Sequence, residues 1–297
     1  MVGPSEKRIG VWFLKGEHKY SERQACHLVS IPRSIHRYQR IKKPDEDWLR
    51  KRIRELANQN KRYGCPRIHT LINREAPVVN IKRIHRIWKD EGLQLPRKRP
   101  KKRNYGPPGE VVNRALYDNH VWSWDFVFDR TERGGQLKFL TIIDEFTRES
   151  LALPVSSRIG SQKVIQMLDY LFLTRGKPKF IRSDNGPEFV AYAVQDWLRD
   201  NQCDVMYIKP GSPWENAYIE SFNGKFRDEC LNMHIFRNVP EAERIVDYWR
   251  DEYNNYRPHS SLGNLTPAEF AAKASGVLRA TPFVPLKQLK EVEILSS

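Results

Sequence analysis

Residues 121–129 read VWSWDFVFD, in which Trp122, Trp124, Phe126 and Phe128 alternate with Ser123, Asp125, Val127 and Asp129. That period of two sends successive side chains to opposite faces and marks a strand. Working outward, RTERGGQ supplies a Gly-Gly turn, LKFLTIIDEFT a second strand and SLALPVS a third, an antiparallel meander. Residues 161–175 have the spacing of an amphipathic helix, and PKFIRSD is a short strand ending at Asp184. PEFVAYAVQDWLRDN is the next helix, DVMYIK another strand and PGSPWEN a loop. WENAYIESFNGKFRDECL is then a long helix with Ile219, Phe222 and Phe226 toward the core. The order β-β-β-α-β-α-β-α gives an α/β class with a mixed five-stranded sheet.

Upstream the pattern is helical. Residues 18–40 have the outline of a helix-turn-helix, two short helices around SIPRS with Ser34 as a candidate N-cap of the second. In DEDWLRKRIRELANQN, residues 45–60, Trp48, Ile53 and Leu56 fall at helical spacing behind an acidic first turn. A second helix pair follows, PRIHTLINRE and NIKRIHRIWKDEGL, joined around APVVN. Ile81, Ile84, Ile87 and Trp88 form its apolar stripe, and Lys82, Arg83, Arg86 and Lys89 its basic face, which suits either DNA or solvent. The segment PRKRPKKRNYGPPG that begins at residue 96 has no apolar periodicity. It reads as an extended linker whose Arg97, Lys98, Arg99, Lys101, Lys102 and Arg103 track phosphates.

The charge is as uneven as the pattern. The 297 residues carry a net +15, but residues 1–105 hold 28 Lys and Arg against 10 Asp and Glu, leaving the remainder slightly acidic. A cationic third joined to a near-neutral remainder is the footprint of a nucleic-acid-binding segment attached to a domain with another task. No apolar run approaches the roughly 20 residues that cross a bilayer, which excludes a membrane-spanning protein. No cleavage site follows the short apolar patch near the start, so secretion is not expected. Cys26, Cys65, Cys203 and Cys230 have no paired C-x-x-C spacing, and the expected setting is the reducing cytoplasm.

Three carboxylates stand out by placement. Asp125 interrupts an aromatic strand, Asp184 lies where a strand gives way to Asn185-Gly186, and Glu220 sits in a helix just after a Pro- and Gly-containing loop. Carboxylates from separate elements, if they converge, hold Mg²⁺ or Mn²⁺ while leaving coordination positions open for phosphate and water. Taken singly each has a plainer reading: a turn at Asp184-Asn185-Gly186, an ion-pair partner at Asp125, a solvated helix residue at Glu220. Asp129 and Asp144 are also strand acids, and spacing alone does not exclude them.

The runs WSWDF (122–126), LTIIDEFTRES (140–150), SDNGPEF (183–189), PGSPWENAYIESFNGKFRDECL (210–231) and YNNYRPHSSL (253–262) closely resemble the DDE transposases of bacterial insertion sequences. Within these the chain is similar to the second-reading-frame product of the IS-three family, whose core is like that of retroviral integrase. The resemblance covers roughly residues 45–272, and the 35 residues between Asp184 and Glu220 match the family's interval. It implies an RNase H-like catalytic core at 113–272, a helix-turn-helix DNA-binding domain at 45–95, an N-terminal helical segment at 1–44, a linker at 96–112 and a tail at 273–297. It further implies that Asp125, Asp184 and Glu220 hold two Mg²⁺ or Mn²⁺ ions per active site. Arg227, seven residues after Glu220 and so on the same helix face, would hold the DNA end. Asn216 and Glu215 would open the glutamate-bearing helix, where an N-cap would fix its orientation. Arg257 and His259 fall in the family's C-terminal signature, whose mechanical role the residues leave open.

The implied activity is 3′-end nicking and strand transfer on double-stranded DNA, with terminal inverted repeats and target DNA as partners and no membrane. A homo-oligomer on DNA is expected, in a bacterial cytoplasm and associated with the nucleoid, with the first-frame product or a frameshift fusion as a further partner. The zinc-binding His-His-Cys-Cys module of retroviral integrases is missing. Two other readings stay open: an RNase H-like nuclease without the joining step, and a non-catalytic DNA-binding repressor.

Overall fold

The described residues of the basic first third form helices and the turns between them. α1 (Pro4–Gly16), α2 (Glu22–Leu28) and α3 (Arg33–Arg37) gather around Val11, Ala25, Cys26 and Ile31. The structure is a computed structural model that describes residues 3–38, 43–75, 78–96, 114–183, 192–207 and 216–276. It divides into two compact units, Met1–Arg52 and Ile53–Ser297. The sequence reading assigns no helix to α1, although Pro4 in its first turn, where the missing N–H costs nothing, is a starting signal. Ser34 does not cap α3, because the helix already begins at Arg33 with Pro32 in the cap position. The capping serine of this unit is Ser21, whose Oγ accepts the Gln24 N–H at the start of α2.

α4 (Glu46–Gln59), α5 (Cys65–Glu75) and α6 (Ile81–Asp90) follow. On α4 the buried stripe is Leu49, Ile53 and Leu56, at i, i+4 and i+7. Trp48, expected inside, lies one residue round the helix and is 47% exposed. On α6, Ile84, Ile87 and Trp88 are buried, but Ile81, in the first turn, is half exposed. The α5–α6 turn is fastened by side chains: Asn73 Oδ1 accepts the Val79 N–H at 2.9 Å, and Asn80 Oδ1 caps α6 by accepting the Lys82 N–H at 2.8 Å.

The aromatic alternation becomes β1 (Val121–Arg130), and β2 (Gln136–Asp144) returns antiparallel with Trp124 opposite Ile142 and Asp125 opposite Thr141. Glycine permits the turn: Gly134 has φ +81°, and a Cβ on Gly135 would lie 2.9 Å from Thr131 Oγ1. The expected third strand divides in two, β3 (Ser150–Ala152) and β4 (Val155–Ser156), both paired with β2. Pro154 stands in the gap, with no N–H to give the ladder, although its carbonyl still accepts the Leu140 N–H at 3.0 Å. The sheet therefore has six strands rather than five.

After α7 (Ser161–Arg175), β5 (Phe180–Ser183) runs parallel to β1. After α8 (Tyr192–Asp200), β6 (Asp204–Tyr207) runs parallel to β5. The strand order is β3-β2-β1-β5-β6, with β4 also on β2, so the sheet is mixed as expected. α9 (Ala217–Glu229), α10 (Val239–Asn255) and α11 (Pro267–Ser275) complete the fold. Trp122, Trp124, Leu140 and Ile142 bury against α7 and α8, while Val127, Phe139 and Ile143 belong to a second core with Ile219, Phe222 and Phe226 of α9 and Trp249 and Tyr253 of α10. Each such side chain contributes about 1.5–3 kcal/mol by leaving water, so α9 is anchored along its length. No helix among the described residues is long and apolar enough to cross a membrane.

Candidate active site

The site is built where α9 crosses β1. Asp125 lies in mid-strand, half-buried, and its carbonyl accepts the Thr141 hydroxyl at 3.0 Å. Its carboxylate is held at both oxygens: Oδ1 accepts the Phe126 N–H at 2.7 Å, and Oδ2 accepts Asn223 Nδ2 from α9 at 2.7 Å. Four residues further along α9, Arg227 donates to the Phe128 carbonyl at 2.8 Å and stands 3.8 Å from Asp129 Oδ2. Glu220 precedes Asn223 by three residues and Arg227 by seven, which puts all three on one helix face. Glu220 is exposed in the first turn and meets no hydrogen-bond donor among the described residues. Asn223 and Arg227 thus join α9 to β1 at Asp125 and Phe128, and Glu220 lies on the same face of α9 one turn before Asn223.

Asp184 follows Ser183, the last residue of β5, and lies outside the described residues, as do Asn185, Gly186 and Glu215. β5 is nevertheless the parallel neighbour of β1, with Arg182 opposite Ser123. Among the described residues no group of three or more His, Cys, Asp or Glu forms a metal cluster. The described donors are hard oxygens: two carboxylates, beside a buried Asn223 Oδ1 that meets no partner among the described residues. That set fits a divalent cation of the Mg²⁺ type and offers nothing to a soft metal.

The other strand acids have structural duties. Asp144 takes three backbone N–H groups, from Asn119, Phe146 and Thr147, at 2.7–2.8 Å, and so closes the turn after β2. Burial nonetheless raises its pKa above the usual carboxylate value. Asp129 Oδ1 accepts the N–H of Arg130. Asn216 occupies the cap position of α9 but makes no capping bond, contrary to expectation, and its buried Oδ1 meets no partner among the described residues. A buried group not foreseen from sequence lies on the face of β1 that carries Asp125. Glu145 hydrogen-bonds Ser123 Oγ and pairs with Arg182 Nη1 at 3.3 Å, with the two charged side chains 0% and 5% exposed. Burial pushes the Glu145 carboxyl upward against the opposing pull of Arg182.

Comparison with known proteins gives the fold its family. Residues 117–213 and 201–267 match the integrase core domain family, and residues 44–101 the HTH-like domain family. A 39.2 kDa uncharacterized protein of insertion element IS476 from Xanthomonas euvesicatoria is 39% identical over 96% of this chain and 82% of its own length. The chain belongs to the integrase-core transposases of bacterial insertion sequences. Another relative, the putative transposase InsK of insertion sequence IS150 from Escherichia coli, is 28% identical over 83% of this chain and 92% of its own. The catalytic core domain of HTLV-2 integrase, solved with magnesium, covers 53% of the chain at 18% identity, with a TM-score of 0.45.

In this transposase chain, Lys82 and Lys89 of the basic face of α6 are exposed, while Arg83 and Arg86 are half-buried and Arg86 lies 3.6 Å from Asp90. Arg97, Lys98, Arg99, Lys101, Lys102 and Arg103 fall outside the described residues. The C-terminal signature is a buried clamp. Arg257 holds Glu229, the last residue of α9, through two bonds of 2.6 Å. His259 packs edge-on to Tyr253, and burial together with Arg257 drives its pKa down to about 2. Asn254 exchanges two hydrogen bonds with the backbone of Ser150 and so ties α10 to β3. The sequence signal for this clamp was a charged Arg-Pro-His run beside an aromatic helix, a pattern that periodicity does not interpret.

Proposed function

We propose that this chain catalyses metal-dependent nicking at the 3′ ends of its element and transfer of those ends into target DNA. The observation that carries the reading is the Asn223–Asp125 contact, which seats the helix bearing Glu220 on the strand bearing Asp125 in a chain of transposase lineage. Asp125, Glu220 and Asp184 would hold two Mg²⁺ or Mn²⁺ ions, which when bound supply Lewis acidity at the attacking and leaving oxygens.

The protein's own residues then position the DNA. Asn223 orients the Asp125 carboxylate by donating to its Oδ2 from the helix that bears Glu220. Arg227, 46% exposed and resting on a backbone carbonyl, is placed to exchange that contact for a DNA phosphate. The basic face of α6, and the linker after it, supply phosphate contacts that hold the duplex away from the chemistry. In the first step water attacks a terminal phosphodiester, forming one P–O bond and releasing a 3′-hydroxyl. In the second that hydroxyl attacks a target phosphodiester and releases another 3′-hydroxyl, so one diester replaces another and no ATP is consumed. This reading places the working enzyme on DNA as a homo-oligomer.

The test is strand transfer with Asp125→Asn, Asp184→Asn and Glu220→Gln in Mg²⁺. Each is expected to abolish joined product while end binding persists; joining retained by any of them would show the assignment wrong.

A further inference from the structure

The end of α9 remote from Glu220 is gripped by arginines of the helix-turn-helix region. Arg62, in the turn before α5, pairs with Asp228, and Arg67 on α5 donates to Glu229 Oε1 at 3.2 Å. Glu229 is also the residue clamped by Arg257, and the two charged side chains of that pair are 7% and 2% exposed. A third arginine, Arg74 at the end of α5, reaches Glu269 of α11 at 2.8 Å. Three arginines spaced along one short stretch thus meet three carboxylates of the core.

The consequence lies in α9 itself. Its first turn has no side-chain cap and is held by the burial of Ile219 and Phe222 and by the Asn223–Asp125 bond. Its last turn is held twice, at Asp228 and Glu229. A helix is stiff along its axis, and Glu220 and Glu229 are about 13 Å apart at 1.5 Å per residue, so a shift at one end reaches the other. We propose that Asp228 and Glu229 are positioning residues through which the helix-turn-helix region sets the place of Glu220, and thereby which phosphodiester is cut. This inference rests on the proposed function above. The DNA is held by one module and cut beside another, and the ion pairs at this joint fix the offset between them.

Asp228 and Arg62 are 24% and 31% exposed, so their charges can be exchanged without burying a new one. The experiment uses the full chain with Mg²⁺ and an end-labelled duplex carrying the terminal repeat that flanks its own coding region. Nick positions are mapped for wild type, Asp228→Arg, Arg62→Asp and the double variant. The expected result is a single nick position for wild type. Asp228→Arg should keep end binding within about twofold but cut at saturating DNA about tenfold more slowly, with nicks spread over neighbouring phosphodiesters. The double variant should restore the single position. Amide exchange across residues 217–229 should quicken in Asp228→Arg and recover in the double variant. A folded Asp228→Arg that cuts at the wild-type position and rate would overturn the inference, as would a double variant no better than the singles. Should Asp228→Arg fail to fold, Asp228→Asn is read against the same two outcomes. Glu220→Gln serves as control: its cutting at the wild-type rate would overturn the proposed function itself.

Discussion

Asn223 Nδ2 lies 2.7 Å from Asp125 Oδ2, and this hydrogen bond joins helix α9 to strand β1 at the point where the proposed chemistry occurs. Its acceptor is a carboxylate, so it belongs to the stronger class of protein hydrogen bonds. Asn223→Ala is expected to leave folding and end binding intact and to lower the strand-transfer rate at saturating DNA. A bond to a charged group contributes about 1.5–3 kcal/mol, which sets the loss at roughly 10- to 100-fold. An unchanged rate would mean that Asp125 is oriented by its own strand alone.

The aromatic seat of α9 gives a stability prediction. The Phe226 ring lies tilted 5.1 Å from that of Trp249 and edge-on 5.3 Å from that of Phe139, and it is fully buried. Phe226→Ala should cost about 3–5 kcal/mol through lost transfer energy and the cavity left behind. The midpoint of urea unfolding reports it, with the intact chain as reference.

Beneath the site, the Glu145–Arg182 pair is sealed from water. Removing one partner strands the other, so Glu145→Gln or Arg182→Met alone should destabilise by about 3–5 kcal/mol. Replacing both with apolar residues should cost much less, because the desolvation of both charges is then relieved. A double-mutant cycle by chemical denaturation measures the difference, and simple additivity would contradict the pairing.

His259 gives a pH dependence. Its folded-state pKa of about 2 stands against an ordinary 6.5, so the unfolded chain binds its proton first. The penalty is absent above about pH 6.5 and grows as pH falls from there toward the folded value, by at most about 1.4 kcal/mol per unit. The wild type should therefore lose stability between pH 6.5 and 5 faster than His259→Gln. Parallel pH profiles for the two would show that His259 is not held neutral.

Lys82 and Lys89 test the DNA face. If each meets a phosphate, alanine at either position should weaken binding to all sequences alike and flatten the log–log salt dependence by about one. Fluorescence anisotropy at several salt concentrations is sufficient, and an unchanged slope removes that lysine from the interface.

The α/β class, the strand at β1 and the inward face of α9 were legible in the sequence, because aromatic alternation and the spacing of Ile219, Phe222 and Phe226 are local patterns with one physical reading. What escaped was set by neighbours. Trp48 and Leu49 are both apolar, and only packing shows which one turns inward. SLALPVS reads as one strand until Pro154 withholds its N–H. The buried charges escaped for a deeper reason: Glu145, Arg182, Glu229 and Arg257 look like surface residues in any window of sequence. Only the fold shows that each is desolvated against a partner. At the candidate site, proximity of Asp125 to α9 follows from Asn223, a residue that neither periodicity nor charge singled out.

The central claim is that Asp125 and Glu220 hold one shared divalent-ion site. The most direct measurement is a Mn²⁺ titration, followed by electron paramagnetic resonance, of the full chain on its own terminal-repeat duplex. Wild type should bind about two ions per active site, and Asp125→Asn and Glu220→Gln should each weaken that uptake by about tenfold or more. Two variants that titrate like wild type would contradict it.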